Sequence, residues 1–180
     1  MNRTRLVAAT LGIACAACGG APSSPSAVPP ASGDGGGTQV LNEGWVHVPE
    51  GTPVSYRSNP PASGPHYPVW AHYQEYKTAV ERPYWVHNLE HGAIVLLYRP
   101  DATAANVAAL ASVFRALPAD PECGHARALL TPDPLLPRQV AAVAADWVLT
   151  ADAVDAAAIQ AFALAHRNHA PEDVCASGTR

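Results

Sequence analysis

Two imidazoles and a carboxylate stand within five residues of one another in His87-Asn88-Leu89-Glu90-His91, and Gly92 follows. On a helix, positions i, i+3 and i+4 share a face. His87, Glu90 and His91 would then converge on one point. Converging nitrogen and oxygen donors are what a first-row divalent ion takes as ligands. A histidine beside an acid is also the apparatus of proton transfer, and a metal-dependent hydrolase or oxidase could use the same residues, with Glu90 as the catalytic group if the protein is an enzyme. The same atoms can serve without any ion, as a buried polar network that satisfies backbone groups beneath a loop. The spacing leaves all three open.

His87-x-x-Glu90-His91 also matches, formally, the inverted zinc-peptidase pattern. That pattern needs a long helix and a further acidic ligand well downstream. Here Pro83 and Gly92 limit the helix to about two turns, and an apolar run follows at once. A Ser/His/Asp hydrolase has less support. There is no Gly-x-Ser-x-Gly, and Ser58 and Ser63 sit in a Pro-rich segment.

The elements that must position these residues read as α+β. Val40 to Val48 suits a short strand and Val54 to Tyr56 a second, with a turn at residues 49–53. Prolines at 60, 61, 65, 68 and 83 exclude long helices from Ser58 to Pro83. A loop of that length is functional or packed by its own side chains. Ala93 to Tyr98 is apolar on both faces and predicts a buried strand. A helix follows over Thr103 to Leu117, with Thr103 as N-cap and Val107, Leu110, Phe114 and Leu117 on one stripe. Ala126 to Leu130 predicts a strand. Gln139 to Leu149 reads as another, with helix as the alternative because alanine is the best helix former. Asp152 to His166 predicts the last helix, with Asp152 as N-cap. The expected fold is a small, mainly antiparallel sheet with two helices packed on one face and a long Pro-rich loop.

The N-terminus reads as an export signal. Arg3 and Arg5 precede a short apolar stretch, Leu6 to Ala17, too short to span a bilayer. Ala16-Ala17-Cys18-Gly19 is similar to a bacterial lipobox, in which the signal (residues 1–17) is cut before the cysteine and Cys18 is acylated. Residues 18–38 form a Pro/Ser/Gly tether that cannot bury a core, and 39–180 are one globular domain. The expected place is an exported bacterial lipoprotein, periplasmic or on the outer face of a membrane. Its contact with that membrane would run through the acyl anchor only.

Composition sets further limits. Removing the signal takes away two of the eleven cations and none of the fifteen acids, so the net charge moves from −4 to −6. An acidic exported domain with no basic stripe excludes nucleic acid as a partner. No motif specifies a protein partner or a small-molecule substrate. Cys15 belongs to the signal and Cys18 to the lipobox, which leaves Cys123 and Cys175 to form a disulfide in an oxidising compartment. His47 falls on a predicted strand and reads as a surface residue. His125 reads as loop, and His166 and His169 straddle a helix end, where a cation suits the dipole.

Two longer motifs carry a family resemblance: residues 58–68, Ser-Asn-Pro-Pro-Ala-Ser-Gly-Pro-His-Tyr-Pro, and residues 86–92, Val-His-Asn-Leu-Glu-His-Gly. Together with Ile94 to Tyr98, the next helix and Pro171-Glu172, they resemble the bacterial family known as domain of unknown function 3105, over about residues 40–175. The resemblance implies an exported or membrane-anchored protein. It also implies a site at the matching positions His66, His87, Glu90 and His91. The chain departs from the family pattern around His72, Gln74 and Glu75, which would either add ligands or alter a loop.

Within that set, the prolines around His66 restrict its backbone and lower the cost of holding it in place. One histidine on a stiff loop would face two on a turn, with Glu90 as fourth ligand, hydrogen-bond acceptor or general base. Asn88 would bond a loop carbonyl, and Tyr67, Tyr73, Tyr84 and Trp85 would wall the site. The single methionine, Met1, leaves with the signal, and the remaining cysteines are oxidised. Soft sulfur ligands are therefore missing, so the expected cofactor is a divalent ion, zinc before copper(II). The expectation requires the ring of His66 within about 10 Å of those of His87 and His91, since metal–ligand bonds are about 2 Å.

Overall fold

The computed structural model describes Met1 and residues 35–180. Residues 2–17 of the expected signal, the expected lipidation site Cys18 and residues 19–34 of the expected tether lie outside the described residues. The elements fall in the unit Ala31–Arg180. In chain order they are β1 (Thr38–Gln39), α1 (Arg82–Glu90), β2 (Ile94–Tyr98), α2 (Ala104–Ala116), β3 (Ala128–Pro132), β4 (Val140–Ala144), β5 (Trp147–Ala151) and α3 (Ala156–His166).

The five strands form one sheet in the order β1-β5-β4-β2-β3. All neighbours run antiparallel except β2 and β3. A parallel pair cannot be closed by a tight turn, and α2 supplies the crossover. The fold is thus α+β with a mainly antiparallel sheet. β2 is buried along its whole length, which is why its sequence shows no polar alternation. Its side chains alternate between two cores. Ile94, Leu96 and Tyr98 meet Leu110 and Val113 of α2 and Ile159 and Phe162 of α3. Val95 and Leu97 meet Trp85, Val86 and Leu89 of α1, together with Ala62 and Ala71 of the Pro-rich loop. α2 and α3 therefore share one face, and α1 under its loop takes the other.

The Pro-rich loop is fastened rather than loose. Tyr76 N–H donates to the Leu130 carbonyl at 2.7 Å, and Leu130 N–H donates to the Gln74 carbonyl at 3.0 Å. These bonds cover the free edge of β3, which would otherwise invite pairing with another chain.

Several boundaries differ from the sequence reading. Val40 to Val48 is no continuous strand. Gly44, at φ 84°, turns the chain, and its N–H bonds the Asn42 side chain at 2.8 Å. What remains is one bridge between His47 and His66. Val54 to Tyr56 forms no strand either, and Tyr56 instead donates its hydroxyl to the Pro65 carbonyl at 3.0 Å. Gln139 to Leu149 is a hairpin rather than one strand. Ala144 pairs with Trp147 across the two-residue turn Ala145-Asp146, and Asp146 sits at φ 64°. Aspartate tolerates that left-handed backbone better than most residues. The N-cap of α3 is Asp155, bonding Ala158 N–H at 3.0 Å, not Asp152, which pairs with Arg138 at 2.8 Å. Thr103 does cap α2, through Asn106 N–H at 3.2 Å. Thr38, the last residue of the expected tether, pairs with Val148.

Candidate metal centre

α1 is a polar helix inside the protein: His87, Asn88 and Glu90 are buried along with Tyr84, Trp85, Val86 and Leu89. Pro83 stands in its first turn, where the missing N–H costs nothing. Gly92 ends it at φ 78°, and a Cβ there would stand 2.8 Å from Cα of Asn168. Only glycine fits both demands. The helix therefore stops where His91 closes its last turn. Buried polar side chains need partners, and Asn88 finds them in the loop. It donates to the Ala71 carbonyl at 2.9 Å and accepts from Ala71 N–H at 3.0 Å.

The histidines are held by backbone carbonyls. His66 Nδ1 lies 2.8 Å from the Gly64 carbonyl and His87 Nδ1 lies 2.6 Å from the Tyr67 carbonyl. A carbonyl only accepts, so both Nδ1 atoms carry the proton. Both Nε2 atoms then present lone pairs in the neutral rings. Those lone pairs face Glu90. Its Oε2 is 3.0 Å from His66 Nε2 and 3.8 Å from His87 Nε2. His47 completes the group with Nε2 at 3.4 Å from the same oxygen. The four ligand atoms lie within 4.8 Å of one another.

His66 and His87 have ring centroids 4.8 Å apart, and His87 and His91 4.5 Å. Through the shared ring of His87, His66 and His91 also stay inside the expected limit. They do not form a single four-residue site, however. His91 Nε2 lies 3.1 Å from His87 Nε2 and 3.3 Å from Oε2 of Glu172. It belongs with Glu90 and Glu172 in a second group, while His66, His87 and Glu90 group with His47.

His47 and Glu172 were missed as site residues. His47 is half exposed, in keeping with its surface reading, but its bridge to His66 lays its ring 4.9 Å from that of His66. Glu172 sits in the Pro171-Glu172 motif, and its backbone N–H donates to the Glu90 carbonyl at 3.0 Å. Of the four aromatic residues expected as walls, Tyr67 contributes only its carbonyl, while Trp85 belongs to the core beneath α1. Tyr73 faces His125 at 5.7 Å and Tyr84 bonds Glu50 at 2.7 Å. The wall is Trp70 instead, 4.9 Å from the His87 ring and 4.6 Å from that of His91.

The departures from the family pattern add no ligand. His72 lies 3.4 Å from the Ser177 hydroxyl, the Gln74 carbonyl bonds β3, and Glu75 pairs with Lys77 and with Arg115. His166 stacks on Trp147 at 4.3 Å and joins neither metal-ligand group. Cys123 and Cys175 form the expected disulfide.

Burial sets the electrostatics. It lowers the pKa of His66, opposed by the bond to the Gly64 carbonyl, and lowers that of His87. It pushes His91 down to about 4, helped by the neighbouring histidines. Burial, with the charge of Glu172, raises Glu90. The rings are therefore neutral at pH 7, the form that binds metal. The proton of a neutral Glu90 could serve one of the three nitrogens around Oε2. A cation would satisfy all of them at once. Bonds of about 2.0–2.1 Å at the tetrahedral angle imply ligand separations of about 3.3 Å, close to the distances around Glu90 Oε2. These residues can hold a divalent ion.

Fold and site define an α+β domain with a buried His/Glu cluster able to hold a metal. The chain belongs to the family described as Protein of unknown function (DUF3105), whose model matches residues 47–178. Comparison with curated proteins and with solved structures found no match.

Proposed function

We propose that this domain binds a divalent transition ion through His47, His66, His87 and Glu90. We further propose that it serves metal handling or sensing at the cell envelope, on an exported protein anchored through Cys18. One observation carries the metal reading. Two backbone carbonyls fix His66 and His87 so that their Nε2 lone pairs turn toward the Glu90 carboxylate, whose oxygens also accept when it is ionised. Acceptors aimed at one another call for a cation between them. The C-terminal end of α1 adds a negative partial charge at the same place. Imidazole and carboxylate ligands, with both domain cysteines in a disulfide, favour zinc, then copper(II).

The test is zinc analysis of the chelator-stripped, reloaded protein beside His66→Ala and His87→Ala. The account expects tightly held zinc in the parent and its loss in both variants. A parent that binds no zinc or copper(II) would leave a metal-free network that pins the loop.

A second reading, a metal-dependent hydrolase, draws on Glu172. It supplies the downstream acid that the inverted zinc-peptidase pattern requires, 3.3 Å from His91. Against it, α1 is nine residues long. Peptide hydrolysis by the zinc-loaded protein, lost in Glu172→Gln, would favour the enzyme.

A further inference from the structure

His91 and Glu172 are not used by the four-residue cluster, yet they are built as carefully. Glu172 is fixed on both sides. Its own N–H bonds the Glu90 carbonyl at 3.0 Å. Its neighbour Asp173 pairs with Arg127 at 2.5 Å, and Arg127 also donates to the His91 carbonyl at 2.9 Å. Three residues after Glu172, Cys175 is tied to Cys123. This strap carries a half-exposed carboxylate to a histidine that is 2 % exposed.

We propose that His91, Glu172 and Glu90 hold a second divalent ion, so that the Glu90 carboxylate bridges a two-metal centre. The inference rests on the single-ion reading above. Each of the three residues offers a ligand atom within 4.8 Å of the others, and Glu90 belongs to both groups. A carboxylate has two oxygens and about four lone-pair positions, enough for two cations. Metal pairs in such centres lie about 3.5–4 Å apart.

The first ion itself prepares the second site. Without metal, His91 Nε2–H can donate to the lone pair of His87 Nε2, 3.1 Å away. An ion on His87 takes that lone pair. His91 Nε2 is then left with Glu172 as its polar neighbour, at 3.3 Å. Glu90 and Glu172 also place two negative charges around one histidine, which a second cation neutralises. The two positions differ in exposure. His66 and His87 are buried, whereas the Glu172 side chain is 52 % exposed. The ion beside Glu172 is therefore the weaker and more exchangeable one, with coordination positions open to water.

The experiment titrates zinc alone into the chelator-stripped full chain and counts bound ions, for the parent and for Glu172→Gln. Glu172 is on the surface, so the variant keeps its fold, checked by circular dichroism. The expected result is two ions in the parent, the second at least about tenfold weaker, and one ion in the variant. Copper(II) loading provides a second readout, a spin-coupled pair signal in the parent and an isolated-ion signal in Glu172→Gln. One ion in the parent overturns the second site and leaves the first standing. Two ions in Glu172→Gln overturn the assignment of Glu172. No ion in the parent removes both readings.

Discussion

His87 donates from Nδ1 to the carbonyl of Tyr67 at 2.6 Å, and that bond decides what its other nitrogen can do. With the proton held on Nδ1, Nε2 is a lone pair in the neutral ring. Tyr67 lies in the Pro-rich loop, so the loop sets the tautomer of a residue on the helix beneath it. The same loop presents His66 in the same state through Gly64. Loop and helix are therefore one device, and disturbing either should disturb the other.

The acid limb of stability follows from the buried rings. His66, His87 and His91 have their pKa values lowered, His91 to about 4, while an unfolded histidine titrates at 6.5. Between pH 6.5 and about 4 the unfolded chain binds more protons than the folded one, so stability falls as pH falls. Glu90, raised by burial, acts in the opposite sense, because the folded state holds its proton to higher pH. Three of the four shifted groups act in the first sense. Urea midpoints of chelator-treated protein should drop from pH 7 to pH 5, and the drop should shrink in His91→Ala. An unchanged midpoint would mean that the rings are not held neutral.

The disulfide should matter to both stability and site. Cys123 and Cys175 are 52 residues apart in sequence, and closing a loop of that size stabilises a fold by about 2–5 kcal/mol on the chain-entropy estimate. Cys175→Ser in a Cys123→Ser background should lower unfolding free energy by that amount. The strap that carries Glu172 would also lose an anchor. Chemical denaturation of the double variant checks the first expectation, and zinc affinity checks the second.

Asn88 joins α1 to the loop through both polar groups of Ala71, which is fully buried. Asn88→Ala leaves a buried N–H and C=O without partners, at a cost of about 2–3 kcal/mol. The metal residues are untouched, so the variant should bind zinc more weakly by loosening the loop. Stability loss with unchanged zinc affinity would show that the loop does not position the site.

Much of this was legible in the residues. The unbroken run Ala93 to Tyr98 could only be a buried strand, and Thr103 and Pro118 bracket α2. His87, Glu90 and His91 announced themselves by spacing, and Cys123 and Cys175, the two cysteines outside the N-terminal stretch, pointed to each other. The misses share a cause. His47 joins the cluster through one bridge between segments without periodicity, and nothing local to Trp45-Val46-His47 signals that pairing. Asp146 turns the hairpin without the glycine that usually marks such a turn. His91 and His87 sit at i and i+4 with their Nε2 atoms 3.1 Å apart, yet His91 also meets Glu172 at 3.3 Å. Its partner arrives eighty-one residues later in sequence, a distance that no local pattern spans.

The most direct measurement is of the imidazole nitrogens themselves, by nitrogen-15 spectra of the ring resonances with and without zinc. The account predicts that His66 and His87 carry their protons on Nδ1 in the metal-free protein. It predicts that zinc shifts Nε2 of His47, His66 and His87 while both Nδ1–H groups stay bonded to the Gly64 and Tyr67 carbonyls. Protons found on Nε2 of His66 and His87, or Nε2 resonances that do not respond to zinc, would contradict it.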